Sequence, residues 1–341
     1  MEFENFHQAY TTTLRWVTES PSYRNAPRGF PSSEHIGVQF CIQDATQRVA
    51  LVPARRLNIV FNFAEALWYA AGRHDLEFIA HYAPGIRKYS ADGVCLTGTA
   101  YGRAIFGSSG RRDQWQVIVD QLRDDPDSKR AVLQIFRCEE LAVPDNPDVS
   151  CTLGLQFLLR SDTLHAVGFM RANDAYRGMS SDVFSFTFLQ ELLARELGVR
   201  TGRYVHSVGS MHVYDSDTRR IDEVLDDPAS VEAPAYAFPT MPDGDNWPFL
   251  REVLRHEEAL RTNRGRIGPD LDRLGLPEYW NQVLLLLELY RRHRYQEPAD
   301  EELLHLLSPI YRWLFDHWRA ERGRYSLSAG LKGSRPSGIN T

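Results

Sequence analysis

Cys151, Arg171, Asp174 and Asp182 fall within one short stretch, CTLGLQFLLRSDTLHAVGFMRANDAYRGMSSD. Cys151, Leu153, Leu155, Phe157 and Leu159 share one face of a period-two pattern, which predicts a strand. Ser161 and Asp162 turn the chain, and Leu164 to Arg171 returns as a second strand. The hairpin brings Arg171 back beside Cys151. A guanidinium next to a thiol favours the thiolate, so the chemistry on offer is covalent attack by sulfur. Asp174 follows in a loop with Gly178. Asp182 opens the apolar helix VFSFTFLQELLAREL, with Ser180 or Ser181 as a cap.

The elements that must position these groups lie on both sides. Residues 1 to about 20 carry Phe6, Tyr10, Leu14 and Val17 at helical spacing. Ser20 to Glu34 is rich in Pro, Ser and Arg and reads as a loop before a strand from Ile36 to Ile42. Arg55 to Gly72 reads as a helix ending at its glycine, with Glu65 among Ala64, Ala66, Leu67 and Trp68. A carboxylate in such company needs partners or a task. Gly107-Ser108-Ser109-Gly110 is a turn without the Lys-Ser/Thr of a phosphate-binding loop. A helix from Gln114 to Leu122, the charged turn Asp124 to Arg130 and a strand from Ala131 to Phe136 follow. His212 and Tyr214, alternate residues of a strand from Arg203 to Tyr214, point the same way. Trp247 to Arg261, Glu278 to Arg294 and Ala299 to Glu321 read as amphipathic helices. The chain divides into a core at 1–225, a helical extension at 226–321 and a flexible Gly/Ser-rich tail at 322–341.

Composition narrows the function classes. A chain of 341 residues with 43% hydrophobic and 25% charged residues is ordinary for a globular protein. A net charge of -6 argues against nonspecific nucleic-acid binding. The longest aliphatic run, Val283 to Leu287, cannot cross a bilayer. The opening MEFENFHQAY lacks the apolar core of a signal peptide, so the expectation is a cytoplasmic protein. Cys41, Cys95, Cys138 and Cys151 are widely spaced, with no Cys/His cluster, and neither a disulfide nor a metal site is expected.

The run from Cys151 to Asp182 resembles thymidylate synthase. That family runs from a nucleophilic Cys through a hairpin to an Arg-Ser-x-Asp segment, a Gly, and an Asn heading a long helix. Cys151, Arg171-Ala172-Asn173-Asp174, Gly178 and Asp182 match it without a gap. The resemblance covers roughly the first two-thirds of the chain. It implies an α/β (α+β) sandwich with a large mixed sheet that pairs two copies into a homodimer, plus a helical C-terminal extension. It further implies a nucleotide monophosphate substrate and 5,10-methylenetetrahydrofolate as one-carbon co-substrate.

Roles carry over residue by residue. Cys151 is implied as nucleophile, with Glu65 ordering proton transfers, since E-x-L-W resembles the family's H-E-L-L-W helix. Tyr101 matches a tyrosine of that network and reads equally well as a core aromatic. Arg24 and Arg28 share the phosphate-gripping role of the N-terminal loop. Lys129 and Arg130 would reach the partner's phosphate, Arg171 with Ala172 and Asn173 would hold the nucleotide, and His212 and Tyr214 would bind ribose. Asp174 and Gly178 would serve the pterin.

Departures at five positions bear on chemistry. Ala172 replaces a serine that donates to phosphate, and Thr152 replaces a histidine. Arg87 and Ser90 stand where the family has two tryptophans lining the folate site, one of which assists hydride transfer. Asp182 replaces the asparagine that reads the base. Uracil offers N3–H and O4, which suit an amide, whereas cytosine offers N3 and an amino group, which suit a carboxyl. The sequence is therefore similar to cytidylate hydroxymethylases of nucleoside-antibiotic pathways, where water rather than hydride ends the reaction. CMP is the expected substrate, with dCMP the alternative. A thymidylate synthase acting on dUMP and a catalytically dead nucleotide-binding protein remain the rival readings.

Overall fold

The computed structural model describes residues 1–107, 113–298 and 300–330, with side chains described through residue 320. Ser108, Ser109 and Gly110 of the expected glycine turn lie outside the described residues.

Among the described residues seven strands form one mixed sheet: β1 (Glu2–Phe3), β2 (Tyr23–Asn25), β3 (Ser32–Ile42), β4 (Val132–Gln134), β5 (Thr152–Arg160), β6 (Thr163–Asp174) and β7 (Arg200–Tyr214). The order is β1-β3-β7-β6-β5-β4, with β2 pairing β3. β5 and β6 form the expected antiparallel hairpin, while β6 and β7 run parallel. The helix from Met179 joins that parallel pair, as a crossover connection requires.

The helices are α1 (Phe6–Glu19), α2 (Ile59–Ala70), α3 (Leu76–Tyr82), α4 (Tyr101–Ile105), α5 (Gln114–Asp124), α6 (Glu139–Ala142), α7 (Met179–Leu197), α8 (Thr218–Leu225), α9 (Trp247–Arg261), α10 (Glu278–Arg294), α11 (Glu301–Leu306) and α12 (Pro309–Gly330). α7 is apolar nearly all round and lies in the core. Its Glu191 forms a fully buried ion pair with Arg48 and accepts from the backbone of Met241. Among the described residues, no helix is long and apolar enough to cross a membrane.

Several boundaries differ from expectation. The loop after α1 contains β2, because Tyr23, Arg24 and Asn25 pair with β3, which itself begins at Ser32 rather than Ile36. α2 starts at Ile59, where Asn58 accepts from Phe61 N at 3.1 Å as an N-cap; Pro53–Arg55 is a separate 3-10 turn. α7 is capped at Gly178, so Asp182 sits in its first turn and neither serine is the cap. The third C-terminal segment breaks into α11 and α12, because Pro309 cannot continue a helix. α12 runs on to Gly330, and 331–341 lie outside the described residues.

The period-two reading of β5 fails at one point. The register shifts between Thr152 and Gly154, a bulge that buries Thr152 and leaves Leu153 42% exposed while Leu155 and Phe157 pack inward.

The C-terminal helices share the core of the first part. Phe63 of α2 meets the rings of Tyr279 and Tyr311 edge-on, with centroids 6.2 and 5.8 Å away. Trp280 donates from Nε1 to Asn246 at 2.8 Å, and Tyr290 donates to the His81 carbonyl at 2.8 Å. The helix carrying Glu65 thus packs against the C-terminal helices through Phe63.

Candidate active site

Cys151 precedes β5 and is half-buried. The backbone N–H of Arg171 donates to the Cys151 carbonyl at 2.8 Å, closing the hairpin end. The Arg171 side chain donates from Nε to Ser150 O at 2.9 Å and from Nη2 to Val149 O at 3.0 Å, which leaves Nη2 3.7 Å from the Cys151 sulfur. The expected juxtaposition is present, but its net effect is not the expected one. Burial raises the Cys151 thiol above its ordinary value and outweighs Arg171; Asp182 and Asp148 also raise it, and Arg28 opposes them. Taking a thiolate out of water costs more than the nearby guanidinium returns.

Two carboxyls face this sulfur region. Burial, with Asp182 adding, pushes Glu65 up to about 8 against hydrogen bonds from Ser185 and Tyr69. Ser185 Oγ lies 3.3 Å from Glu65 Oε2. Burial, with Asp174 adding, pushes Asp182 up to about 7 against the Asn173 hydrogen bond. Both carboxyls thus carry protons near neutral pH and can give or take them there. Tyr101 packs on Tyr69 with centroids 5.1 Å apart, and burial followed by Asp182, Cys151 and Glu65 holds its hydroxyl well above the usual range. Tyr101 is a core aromatic whose hydroxyl feels the charges of Asp182, Cys151 and Glu65.

Asp174 ends β6. Its Oδ1 accepts from the backbone N–H of Tyr176 at 2.9 Å and of Arg177 at 2.8 Å, while Oδ2 is buried without a hydrogen-bond partner. Burial raises its carboxyl. Arg177 Nε lies 4.0 Å from Oδ2, beyond hydrogen-bond distance, so that oxygen can still accept from a ligand N–H, the group a pterin would present. Nearby, a cleft of about 310 Å³ is lined by Arg55, Arg56, Asn62, Arg177, Ser181 and Trp318. The buried Asn62 Nδ2 also has no partner.

The two loop arginines separate. Arg24 is paired with Asp215 at 2.5 Å and donates to Ser33 Oγ at 2.9 Å. Arg28 has a positive φ of 53°, and its charge is felt at Cys151. His212 and Tyr214 lie side by side with centroids 5.1 Å apart, and the Arg177 guanidinium sits over the Tyr214 ring. Ala172 stands next to Ser210 in the β6–β7 register.

The remaining expected residues range from buried to exposed. Asn173 is buried with both ends of its amide engaged, by Asp182 and His206. Gly178 packs under that contact, where a Cβ would lie 3.2 Å from both Asn173 Nδ2 and Asp182 Oδ2. Arg87 is exposed on a 3-10 segment. Lys129 and Arg130 are exposed and, among the described residues, form no side-chain hydrogen bond or ion pair within their own chain. The described residues contain no group of three His, Cys, Asp or Glu able to hold a metal.

Sequence reasoning missed Tyr69, Asp148, Tyr204 and His206. Tyr69 was legible, four residues beyond Glu65 on one helix face. Asp148 was not: its carboxylate accepts from the backbone of Thr97, Gly98 and Thr99 at 2.7–2.9 Å, fixing the approach to Tyr101 across a long loop.

A half-buried cysteine beside an arginine, two buried carboxyls pushed up by burial and the buried Asp174 carboxyl thus gather at one end of the mixed sheet. The chain belongs to the thymidylate synthase family, whose model matches residues 8–244. It is 30% identical over 202 residues to a deoxyuridylate hydroxymethyltransferase of Bacillus phage SP01, covering 56% of this chain and 53% of that protein. It is 26% identical over 289 residues to the deoxyuridylate hydroxymethyltransferase of Pseudomonas phage M6, covering 81% and 75%. That of Delftia phage PhiW-14 is 30% identical over 200 residues, covering 55% of each. The chain thus spans about half the length of two of these three curated relatives.

Proposed function

We propose that the protein is a pyrimidine nucleotide 5-hydroxymethyltransferase acting on a cytidine nucleotide, CMP ahead of dCMP, as in nucleoside-antibiotic pathways. The observation that carries this is the buried Asp182 carboxyl at the position where the family reads the base. At about 7, it holds a proton often enough to donate to cytosine N3 while accepting from the amino group.

C5 of a pyrimidine is a weak nucleophile. Addition of the Cys151 sulfur to C6 places electron density on C5, and elimination of the sulfur later restores the ring. Methylenetetrahydrofolate supplies the carbon at the oxidation level of formaldehyde. Asp174, through an Oδ2 that accepts no hydrogen bond within the chain, would hold the pterin, and the arginines of the adjoining cleft suit the carboxylates of a folate tail. Glu65 is the base that would direct water to the new carbon, which gives hydroxymethyl rather than methyl. Arg28 and Arg171 would hold the phosphate, with His212 and Tyr214 at the ribose.

A homodimer belongs to this proposal. Val132, Val167, Phe169 and Val205 share the sheet face away from Leu155 and Phe157 in the register, and Val132 and Phe169 are 46% and 38% exposed. That apolar face would pair with a second copy and bring the partner's Lys129 and Arg130 to the phosphate. An active monomer in a sedimentation run would remove this element.

The relatives' names favour a second reading, hydroxymethylation of dUMP. Incubation with methylenetetrahydrofolate and CMP, dCMP or dUMP, followed by mass spectrometry, separates the two. A gain of about 30 mass units, one CH2O, is expected on a cytidine nucleotide. The same gain on dUMP alone would reverse the assignment of the base. Tight binding without any product would support a binding protein.

A further inference from the structure

A line of polar groups runs from Asp182 into the core, away from the sulfur chemistry. Asn173 Nδ2 donates to Asp182 Oδ2 at 2.7 Å, and Asn173 Oδ1 lies 2.9 Å from His206 Nε2. His206 Nδ1 lies 2.8 Å from the Tyr204 hydroxyl. Tyr204 and His206 are fully buried.

The roles follow from what each atom can do. An amide oxygen only accepts, so His206 Nε2 carries the hydrogen. Burial lowers His206 to about 3, which keeps the ring neutral and leaves Nδ1 to accept from Tyr204. Donation therefore runs one way, from Tyr204 to His206 to Asn173 to Asp182. Space for it is built in: a Cβ on Gly168 would lie 2.3 Å from the Tyr204 hydroxyl.

A neutral carboxyl can present two faces to a pyrimidine, depending on which oxygen holds the proton. One face suits cytosine, and the exchanged face suits uracil. With the Asn173 N–H on Oδ2, that oxygen acts as an acceptor and the proton belongs on Oδ1. The other titratable groups facing Asp182 are Glu65 and Tyr69 on α2, Tyr101 on α4, Cys151 before β5, Asp174 on β6 and Tyr204 on β7. Asn173 is the neighbour that donates to it.

We propose that Tyr204, His206 and Asn173 are positioning residues that fix which oxygen of Asp182 carries its proton, restricting the carboxyl to one pyrimidine base. This rests on the base-reading role of Asp182 proposed above. It explains how a residue able to pair with either base can choose one.

The test is calorimetric affinity for CMP and UMP in the full-length protein, Tyr204→Phe and Asn173→Ala, with melting temperatures alongside. In Tyr204→Phe either His206 tautomer leaves one ring nitrogen unpaired, so the one-way bias is lost. The CMP-to-UMP ratio of Kd values should move at least about tenfold toward one, ~1.4 kcal/mol, whichever base the unaltered protein prefers. Asn173→Ala should move it the same way, and it carries the test alone if Tyr204→Phe does not fold. A folded variant that keeps the original ratio would overturn the proposal. Equal affinities in the unaltered protein would overturn the base-reading role of Asp182, and this inference with it.

Discussion

The Arg171 guanidinium sits 3.7 Å from the Cys151 sulfur because two backbone carbonyls, those of Val149 and Ser150, hold it there. Arg171 therefore cannot swing away without losing both contacts. The sulfur nevertheless stays above its ordinary thiol range, since burial outweighs the guanidinium. Alkylation by iodoacetamide should accelerate with rising pH through and beyond the range of a free thiol. Arg171→Ala should raise the thiol further and slow alkylation at pH 7.5 by about tenfold, one pKa unit. Cys151→Ser should abolish turnover and keep nucleotide binding. Residual turnover in Cys151→Ser would reject covalent catalysis.

Glu65 and Asp182 predict how stability depends on pH. Their folded values, about 8 and about 7, lie above the ordinary carboxyl values, so the folded state binds more protons than the unfolded one between about pH 4 and 8. Stability should accordingly fall as pH rises through this window, with a limiting slope of about 1.4 kcal/mol per pH unit for each group. Denaturation midpoints for the nucleotide-free protein at pH 5 to 8 test this. Glu65→Gln should flatten the curve and lower kcat by roughly 10²–10⁴. A flat curve in the unaltered protein would contradict the burial argument.

Asp182→Asn should change the base. An amide donates and accepts in the arrangement uracil needs, and it cannot move a proton between its two ends. The ratio of kcat/KM for CMP to that for UMP should drop by at least about 100-fold. An unchanged ratio would mean that Asp182 serves only its helix terminus, where an acidic side chain is favourable.

Arg28 and Arg24 should respond differently. Losing a charged hydrogen bond to phosphate costs about 1.5–3 kcal/mol, so Arg28→Ala should raise the nucleotide KM by roughly 10- to 150-fold. Arg24 is tied to Asp215 in an exposed pair, worth at most about 1 kcal/mol. Arg24→Ala should leave KM within a few-fold. The reverse pattern would exchange their roles.

Ala172→Ser would restore a hydroxyl beside Ser210. The expected outcome is a shift of preference toward dCMP, measured as relative kcat/KM for CMP and dCMP. Equal ratios before and after would remove Ala172 from sugar selection.

Local pattern alone determined the hairpin from Cys151 to Arg171, the helix carrying Glu65 and the β7 strand ending in His212 and Tyr214. In these places alternation and helical spacing follow from burying one face, and the turn residues Ser161 and Asp162 allowed little else. The order of Cys, Arg, Asp and Asp was likewise visible along the chain, and with it the expectation of sulfur chemistry. What the tertiary structure decided were quantities that depend on surroundings. The bulge at Leu153 arises from pairing with β6. The direction of the Cys151 shift is set by burial among segments far apart in sequence. Asp148 reaches Thr97, Gly98 and Thr99 across a sequence separation of 50 at Gly98, and Asn173 meets His206 through side chains, since the β6–β7 register sets Met211 beside Asn173 and Gly168 beside His206. A residue's type fixes what it can donate or accept, but the dielectric around it and the partner opposite are properties of the folded chain.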